Sequence, residues 1–295
     1  PVAFDAAKID HPPPEIAPFC TLFPKRDQQN GSNRWAKSAQ GPFYTWIPEA
    51  MVAPTPVSAY LHAAAMVKAG AFLIARVFCS GFEVSTGIGL LTAVVAVLTM
   101  YIGLIFYFLQ DDLKKLLAYS TITNVGYIFL GLGIGAMGPV VGLRGGLLHL
   151  LCHAFAKTIL FLSVGVISYC TGTRLMSRLS GLARGSPFLA FAFIVGFLSV
   201  TGIPPFSCFW SKFYIFVAAF ALNSALGTVL GLLVLGESVG AFIWFILVTQ
   251  RVFFGKAGSE MTLVIPGLFK WVLGVLILLA LLSPLFGIPL LEGVG

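Results

Sequence analysis

From residue 57 onward the chain is organised as long apolar runs broken by short polar stretches. Seven runs reach the roughly 20 residues that a helix needs to cross a hydrocarbon core. They are Val57 to Phe82, Gly87 to Leu109, Leu116 to Ala136, Gly145 to Cys170, Pro187 to Leu222, Ser224 to Gln250 and Leu263 to Leu290. The pattern predicts an all-α polytopic membrane protein of about seven transmembrane helices. The fifth run is too long for one plain span and contains TGIPPF. Pro204 and Pro205 remove two successive backbone donors, so a discontinuous helix, broken near mid-membrane, is expected there. Residues 1–41 break the pattern. Pro12 to Pro14 and the run Lys25 to Arg34 do not suit lipid, and this segment reads as a Pro-rich polar arm, extended or lying on the surface, ahead of a bundle over 42–295. The semi-apolar piece from Trp35 to Met51 is either half a helix or an interfacial segment anchored by Tyr44 and Trp46.

Composition supports the membrane assignment. The 295 residues are 58% hydrophobic and 10% charged, far below the roughly 25% charged residues of a soluble domain, so the excess apolar surface must face lipid. The net charge of +7 does not point to nucleic acid, because the basic residues sit in short loops between apolar runs. Loops after the second, fourth and sixth runs carry Lys114, Lys115, Arg174, Arg178, Arg184, Arg251 and Lys256, whereas the opposite side carries Arg144 and little else. The basic side therefore faces the cytoplasm or its equivalent. The segment before the first span is expected on that side, and the C-terminus on the other. Lys114 and Lys115, at a span end after Asp111 and Asp112, read as a solvated topology cluster. Cys20, Cys79, Cys152, Cys170 and Cys208 form no CxxC pair and read as small hydrophobes rather than a metal or redox site. No metal or cofactor is expected, and the first residues do not form a signal peptide.

An ionisable side chain at membrane depth costs several kcal/mol and is a functional candidate by default. The candidates are His62 and Lys68 in the first run, His149, His153 and Lys157 in the fourth, Lys212 just beyond the Pro-Pro break, and Glu237 in the sixth. His149, His153 and Lys157, spaced i, i+4, i+8, lie on one helical stripe about 12 Å long. Such a stripe fits a file for protons and water better than simple interhelical glue. Lys68 stands among Ala63, Ala64, Ala65, Ala69 and Gly70. Desolvation there opposes its charged form, which brings both protonation states within reach, as a proton carrier requires. Lys212 couples a titratable group to the backbone exposed by a broken helix, as at transporter binding sites. Glu237 fits two roles equally: a counter-ion for one of the lysines, or an ordinary polar contact.

Several blocks in order resemble one family. AKSAQGPFYTWIPEAMVAPTPVSAYLHAAAMVKAG is similar to the signature of the antiporter-like subunits of complex I, Mrp sodium/proton antiporters and membrane-bound hydrogenases. DLKKLLAYSTITNVGYIFLGLGIG, HLLCHAFAKTILFLSVG and GIPPFSCFWSKF resemble further blocks. TGTRLMSRLSGL and AMVKAG place the Mrp and hydrogenase branch nearest. The resemblance implies about fourteen helices containing two inverted five-helix repeats, each with a broken helix. By the same resemblance, Lys37 corresponds to the lysine of the first broken helix. His62 and Lys68 correspond to the histidine and lysine of the next span, His149, His153 and Lys157 to the central hydrophilic axis, and Lys212 to the terminal lysine. Against that pattern the first six helices are absent here, together with the glutamate that pairs with the first lysine. KRDQQNGSNRW replaces the apolar stretch before KSAQ. What remains matches the second repeat, so Lys37 need not lie in the membrane; either another chain supplies the missing helices, or the subunit is remodelled.

The expected function is proton translocation within a larger redox-driven complex, in a cell membrane or energy-converting inner membrane and beside other membrane subunits. The chain itself carries no active site. The alternatives are a component of a sodium/proton antiporter and a truncated structural subunit.

Overall fold

The computed structural model describes residues 38–41, 43–78, 84–255 and 265–292. Lys37, most of the N-terminal arm, Cys20, Cys79 and Lys256 lie outside the described residues. Apart from an isolated bridge between Asp112 and Leu175, the described residues are helices and connections.

A short helix α1 (Trp46–Glu49) runs into a 3₁₀ turn (Ala50–Val52). Of the Trp35 to Met51 piece, the described part thus forms short helical turns, packed on the third span. The first span is α2 (Thr55–Ala59), a π-turn (Tyr60–Ala64), a break at 65–67 and α3 (Lys68–Phe78). The uninterrupted apolar run predicted a plain helix here. The chain instead leaves the α-ladder between His62 and Lys68. Four long helices follow as expected: α4 (Thr86–Phe108), α5 (Leu113–Ala136), α6 (Val140–Thr171) and, later, α10 (Ala225–Thr249). A π-turn (Gln250–Phe254) extends α10, and α11 (Gly267–Glu292) ends the described chain. Between them lie the short α7 (Leu182–Gly185) and the predicted discontinuous helix: α8 (Pro187–Thr201), a break over Gly202–Phe206, and α9 (Ser207–Ala221). Among the described residues, six helical segments are long and apolar enough to cross a membrane, and α8 and α9 are shorter apolar helices on either side of the break.

The helices are layered around α6, which packs against α2, α5, α8, α9 and α11. The membrane window of α5 is 94% buried, against 33% for α10 and for α11, so α5 is an inner helix while α10 and α11 lie at the periphery of the bundle. Glycines set the inner spacing. A Cβ on Gly131 would lie 2.8 Å from the Gly146 nitrogen, and one on Gly142 would lie 2.8 Å from the Gly131 carbonyl. The α5 and α6 backbones therefore approach as closely as only small residues permit, which lets polar side chains of one helix reach the other.

The basic side is tied together by its own loops. Asp112 caps α5 by accepting from the Lys114 amide at 2.8 Å and pairs with the Arg174 guanidinium at 2.6 Å. Arg174 donates to the Met51 carbonyl. On the opposite side, Arg144 donates to the carbonyl of Glu292. These contacts group the loops as the charge distribution predicts.

Candidate functional site

The Pro-Pro break creates the first anchor of the site. In an α-helix the carbonyls of Val200 and Thr201 would accept from residues 204 and 205, and both are prolines without an N–H. Gly202 ends α8 in the left-handed region at φ +81°. A Cβ at Gly202 would lie 2.9 Å from Cδ of Lys212, so glycine supplies both the turn and the room for the lysine stem. The Lys212 ammonium takes up the orphaned Thr201 carbonyl at 3.1 Å and donates to the Ser238 hydroxyl at 3.1 Å. It also lies 4.2 Å from the centre of the Tyr127 ring and 3.9 Å from the Glu237 carboxylate. Tyr127 donates a hydrogen bond to that carboxylate. Of the two roles left open for Glu237, its approach to Lys212 has the distance of an ion pair.

The α6 stripe continues from there. Tyr127 lies 5.4 Å, ring to ring, from His149, and His149 lies 6.0 Å from His153. Asn124 orients His149. Its amide donates to the Ser120 carbonyl at 2.7 Å, which turns Oδ1 toward Nε2 of His149 at 3.2 Å, so Nε2 is the protonated nitrogen. Nδ1 lies 2.8 Å from the Ser211 hydroxyl, which itself lies 2.9 Å from the Cys208 carbonyl. Ser211 can therefore serve both states of the ring. Beside a neutral His149 its hydroxyl donates to Nδ1. Beside an imidazolium it accepts from Nδ1–H and turns its own proton to Cys208. His149 can thus gain or lose a proton without leaving a buried group unpaired.

Lys157 donates to the Leu117 carbonyl at 3.0 Å and to the Ser120 hydroxyl. His62 stacks on Phe161, centroids 4.9 Å apart. Among the described residues, neither ring nitrogen of His62 or His153 has a hydrogen-bond partner, although both residues are 0% exposed. Lys68 is buried as the first residue of α3, directly after the break in the first span.

Seven of the eight predicted site residues are thus described and buried: His62, Lys68, His149, His153, Lys157, Lys212 and Glu237. Lys37 lies outside the described residues. Lys115 is exposed, as the topology cluster requires, but Lys114 departs from it. Its side chain is buried, and its ammonium donates to the Ala53 carbonyl at 2.6 Å. Cys152 and Cys208 are buried free thiols, as expected of small hydrophobes. The residues the sequence did not single out are Asn124, Tyr127, Ser120, Ser211 and Ser238. For Ser120, Asn124 and Tyr127 the hint lay in α5, whose LAYSTITNVGY is polar for an inner span; Ser211 on α9 and Ser238 on α10 carried no such signal.

The NADH:quinone oxidoreductase/Mrp antiporter transmembrane family matches residues 34–236. Over 203 residues the chain is 40% identical to NAD(P)H-quinone oxidoreductase subunit 5 of Chara vulgaris, covering 66% of this chain and 30% of that protein. It is 38% identical to Na(+)/H(+) antiporter subunit A1 of Staphylococcus haemolyticus (strain JCSC1435) over 239 residues, covering 75% of this chain and 30% of that one. The chain therefore spans under a third of the length of these relatives. Among solved structures it superposes on a chain of the Mrp complex from Dietzia sp. DQ12-45-1b with a TM-score of 0.78 at 34% identity, covering 90% of this chain and 28% of that one. The membrane-bound sulfane sulfur reductase, an archaeal respiratory membrane complex, gives a TM-score of 0.77 at 28% identity over 88% of this chain and 52% of that one.

Proposed function

The chain belongs to the NADH:quinone oxidoreductase/Mrp antiporter transmembrane family, and from that premise we propose that it translocates protons as one membrane subunit of a larger energy-converting assembly. The observation that carries this reading is the unbroken burial of ionisable groups along one line. Lys157, His153 and His149 are 0% exposed, Lys212 is 7% exposed and Glu237 1%. A single buried charge is costly, and a buried pair does not by itself stabilise a fold, so five such groups in succession call for a use of their charge. His62 and Lys68 flank the line at the first-span break and complete the set.

The work is divided among the residues by position. Lys157, hung from the Leu117 carbonyl, and Lys212, hung from the Thr201 carbonyl, hold or release a proton at Nζ. His149 and His153 pass it between them along α6, and Ser211 resets as His149 changes charge. Glu237 offsets the charge on Lys212. A distant redox reaction or a cation gradient supplies the drive by changing which of these groups carry protons. The assembly sits in a cell membrane or an energy-converting inner membrane, and its other membrane subunits pack beside this chain. The likeness to an antiporter subunit and to an Mrp complex favours a second reading, sodium/proton exchange by the same residues.

Lys212→Ala tests the first reading in sealed vesicles bearing the whole assembly. Translocation is expected to be lost while native gels show the assembly intact. Full pumping in that variant would leave only a structural role. Acidification driven by an imposed sodium gradient alone would favour exchange.

A further inference from the structure

Lys212 and Glu237 are too far apart to share a direct hydrogen bond, at 3.9 Å. They are joined by a longer, fully bonded route. Lys212 donates to the Ser238 hydroxyl at 3.1 Å, Ser238 lies 2.8 Å from the Tyr127 hydroxyl, and Tyr127 donates to the Glu237 carboxylate. The proton directions along this route follow from the donors available. An ammonium only donates, so Ser238 accepts from it and has its own proton free for Tyr127. A carboxylate only accepts, so the phenol proton of Tyr127 points to Glu237. The four groups form an open hydrogen-bonded wire, with the ammonium and the carboxylate at its ends and two hydroxyls between them.

The geometry points to Ser238 and Tyr127 as the relay by which Lys212 and Glu237 neutralise each other. This rests on the proton-translocation reading above and adds the route. In the step, one Nζ–H proton of Lys212 moves to Oγ of Ser238, the Ser238 proton moves to Tyr127, and the Tyr127 proton moves to Oε2 of Glu237. An ammonium and a carboxylate become an amine and a carboxylic acid, both hydroxyls are regenerated, and the net charge of the four groups is unchanged. With the charges gone, neither end keeps its electrostatic hold on the other. The amine then gains an acceptor lone pair, and His149, whose ring lies tilted against Tyr127 at 5.4 Å, stands at the near end of the α6 stripe to reload it. The relay thus converts an ion pair that would trap a proton into a neutral pair that can be reloaded.

The test uses the intact assembly in vesicles. Ser238→Ala and Tyr127→Phe each cut the wire while leaving Lys212, Glu237 and the aromatic ring in place. Each is expected to slow translocation by about tenfold or more, the scale of a positioned proton-transfer group. Because the two hydroxyls act in series, the double variant should be no slower than the slower single variant, and Ser238→Thr, which keeps the hydroxyl, should restore the rate. The C=O stretch of a protonated carboxyl, assigned by its loss in Glu237→Gln, should appear in infrared difference spectra of the working wild type and be missing from both single variants. A merely structural role would leave that band unchanged. Wild-type rates in Ser238→Ala, multiplied penalties in the double variant, or no rescue by threonine would overturn the relay. Should Lys212→Ala itself keep pumping, the translocation reading falls. Should Lys212→Ala be inactive while Ser238→Ala runs at full speed, the relay alone falls.

Discussion

His149 and His153 stand one turn apart on the same face of α6 and are equally shielded from solvent, yet they are held in opposite ways. His149 is fixed at both nitrogens, by Asn124 and Ser211. His153 has no hydrogen-bond partner at either nitrogen among the described residues, and neither has His62 nearby in the first span. The line therefore has two halves. Toward Lys212 every group is hydrogen-bonded, and its protonation changes are absorbed by hydroxyls that swing between two acceptors. Toward Lys157 the imidazoles make ring contacts only, His62 with Phe161 and His153 with His149, and no hydrogen bond among the described residues fixes their orientation. A proton path needs both kinds of segment: bonded stretches along which a proton passes without motion, and unanchored rings that reorient. Sequence spacing alone makes the two histidines look equivalent; the difference comes entirely from neighbours on α5 and α9.

The largest expected effect is at the boundary of the unanchored half. Lys157→Met should abolish translocation, by about a hundredfold or more, without weakening the fold. The Leu117 carbonyl that Lys157 occupies also accepts from the hydroxyls of Ser120 and Thr121, so removing the ammonium strands no partner. Met keeps the length of the stem and removes the cost of desolvating an ammonium that no carboxylate pairs among the described residues. Thermal unfolding of the detergent-purified assembly alongside vesicle transport checks both halves of the statement. A marked fall in stability would show that the lysine is structural.

The second effect separates the two histidines directly. His149→Leu removes the donor to Asn124 Oδ1 and should cost about 1–3 kcal/mol, the penalty for a buried acceptor left unpaired. His153→Leu orphans nothing among the described residues and should unfold at a higher temperature than His149→Leu. Both should transport poorly. Equal stability of the two variants would erase the distinction between an anchored and an unanchored half.

How far the sequence anticipated this site depends on the kind of signal involved. Charged residues inside apolar runs are conspicuous because the membrane penalises them, so Lys68, His149, Lys157, Lys212 and Glu237 could be picked out one by one. The break at Pro204-Pro205 was equally legible, since proline removes backbone donors whatever surrounds it. The interruption between His62 and Lys68 was not, because HAAAMVKAG contains no proline and reads as an acceptable helix. Nor were Ser211, Ser238 and Tyr127. Hydroxyls are common in spans, and what distinguishes these three is which helix they meet. Lys114 shows the same limit from the other side. Its position beside Lys115 and two aspartates marks a loop, and only the fold of 46–54 over the end of α5 turns it inward to Ala53.

The smallest expected effect tests whether the basic-side clamp matters to the buried line at all. Asp112 does two jobs there, capping α5 through the Lys114 amide and pairing with Arg174, whose side chain is 36% exposed. Solvent screens an ion pair so placed, and its worth is below about 1 kcal/mol. Asn caps a helix as well as Asp does, so Asp112→Asn removes only the pair and should lower stability by no more than that amount. Asp112→Ala removes the cap as well and should cost about 1 kcal/mol more. Transport should be close to wild type in Asp112→Asn, because Lys114 still reaches Ala53 and nothing in the line from His62 to Glu237 has been altered. Transport loss in Asp112→Asn as deep as in Lys157→Met would move the clamp from scaffold to pathway, and would extend the proton line to the basic-side surface through Lys114.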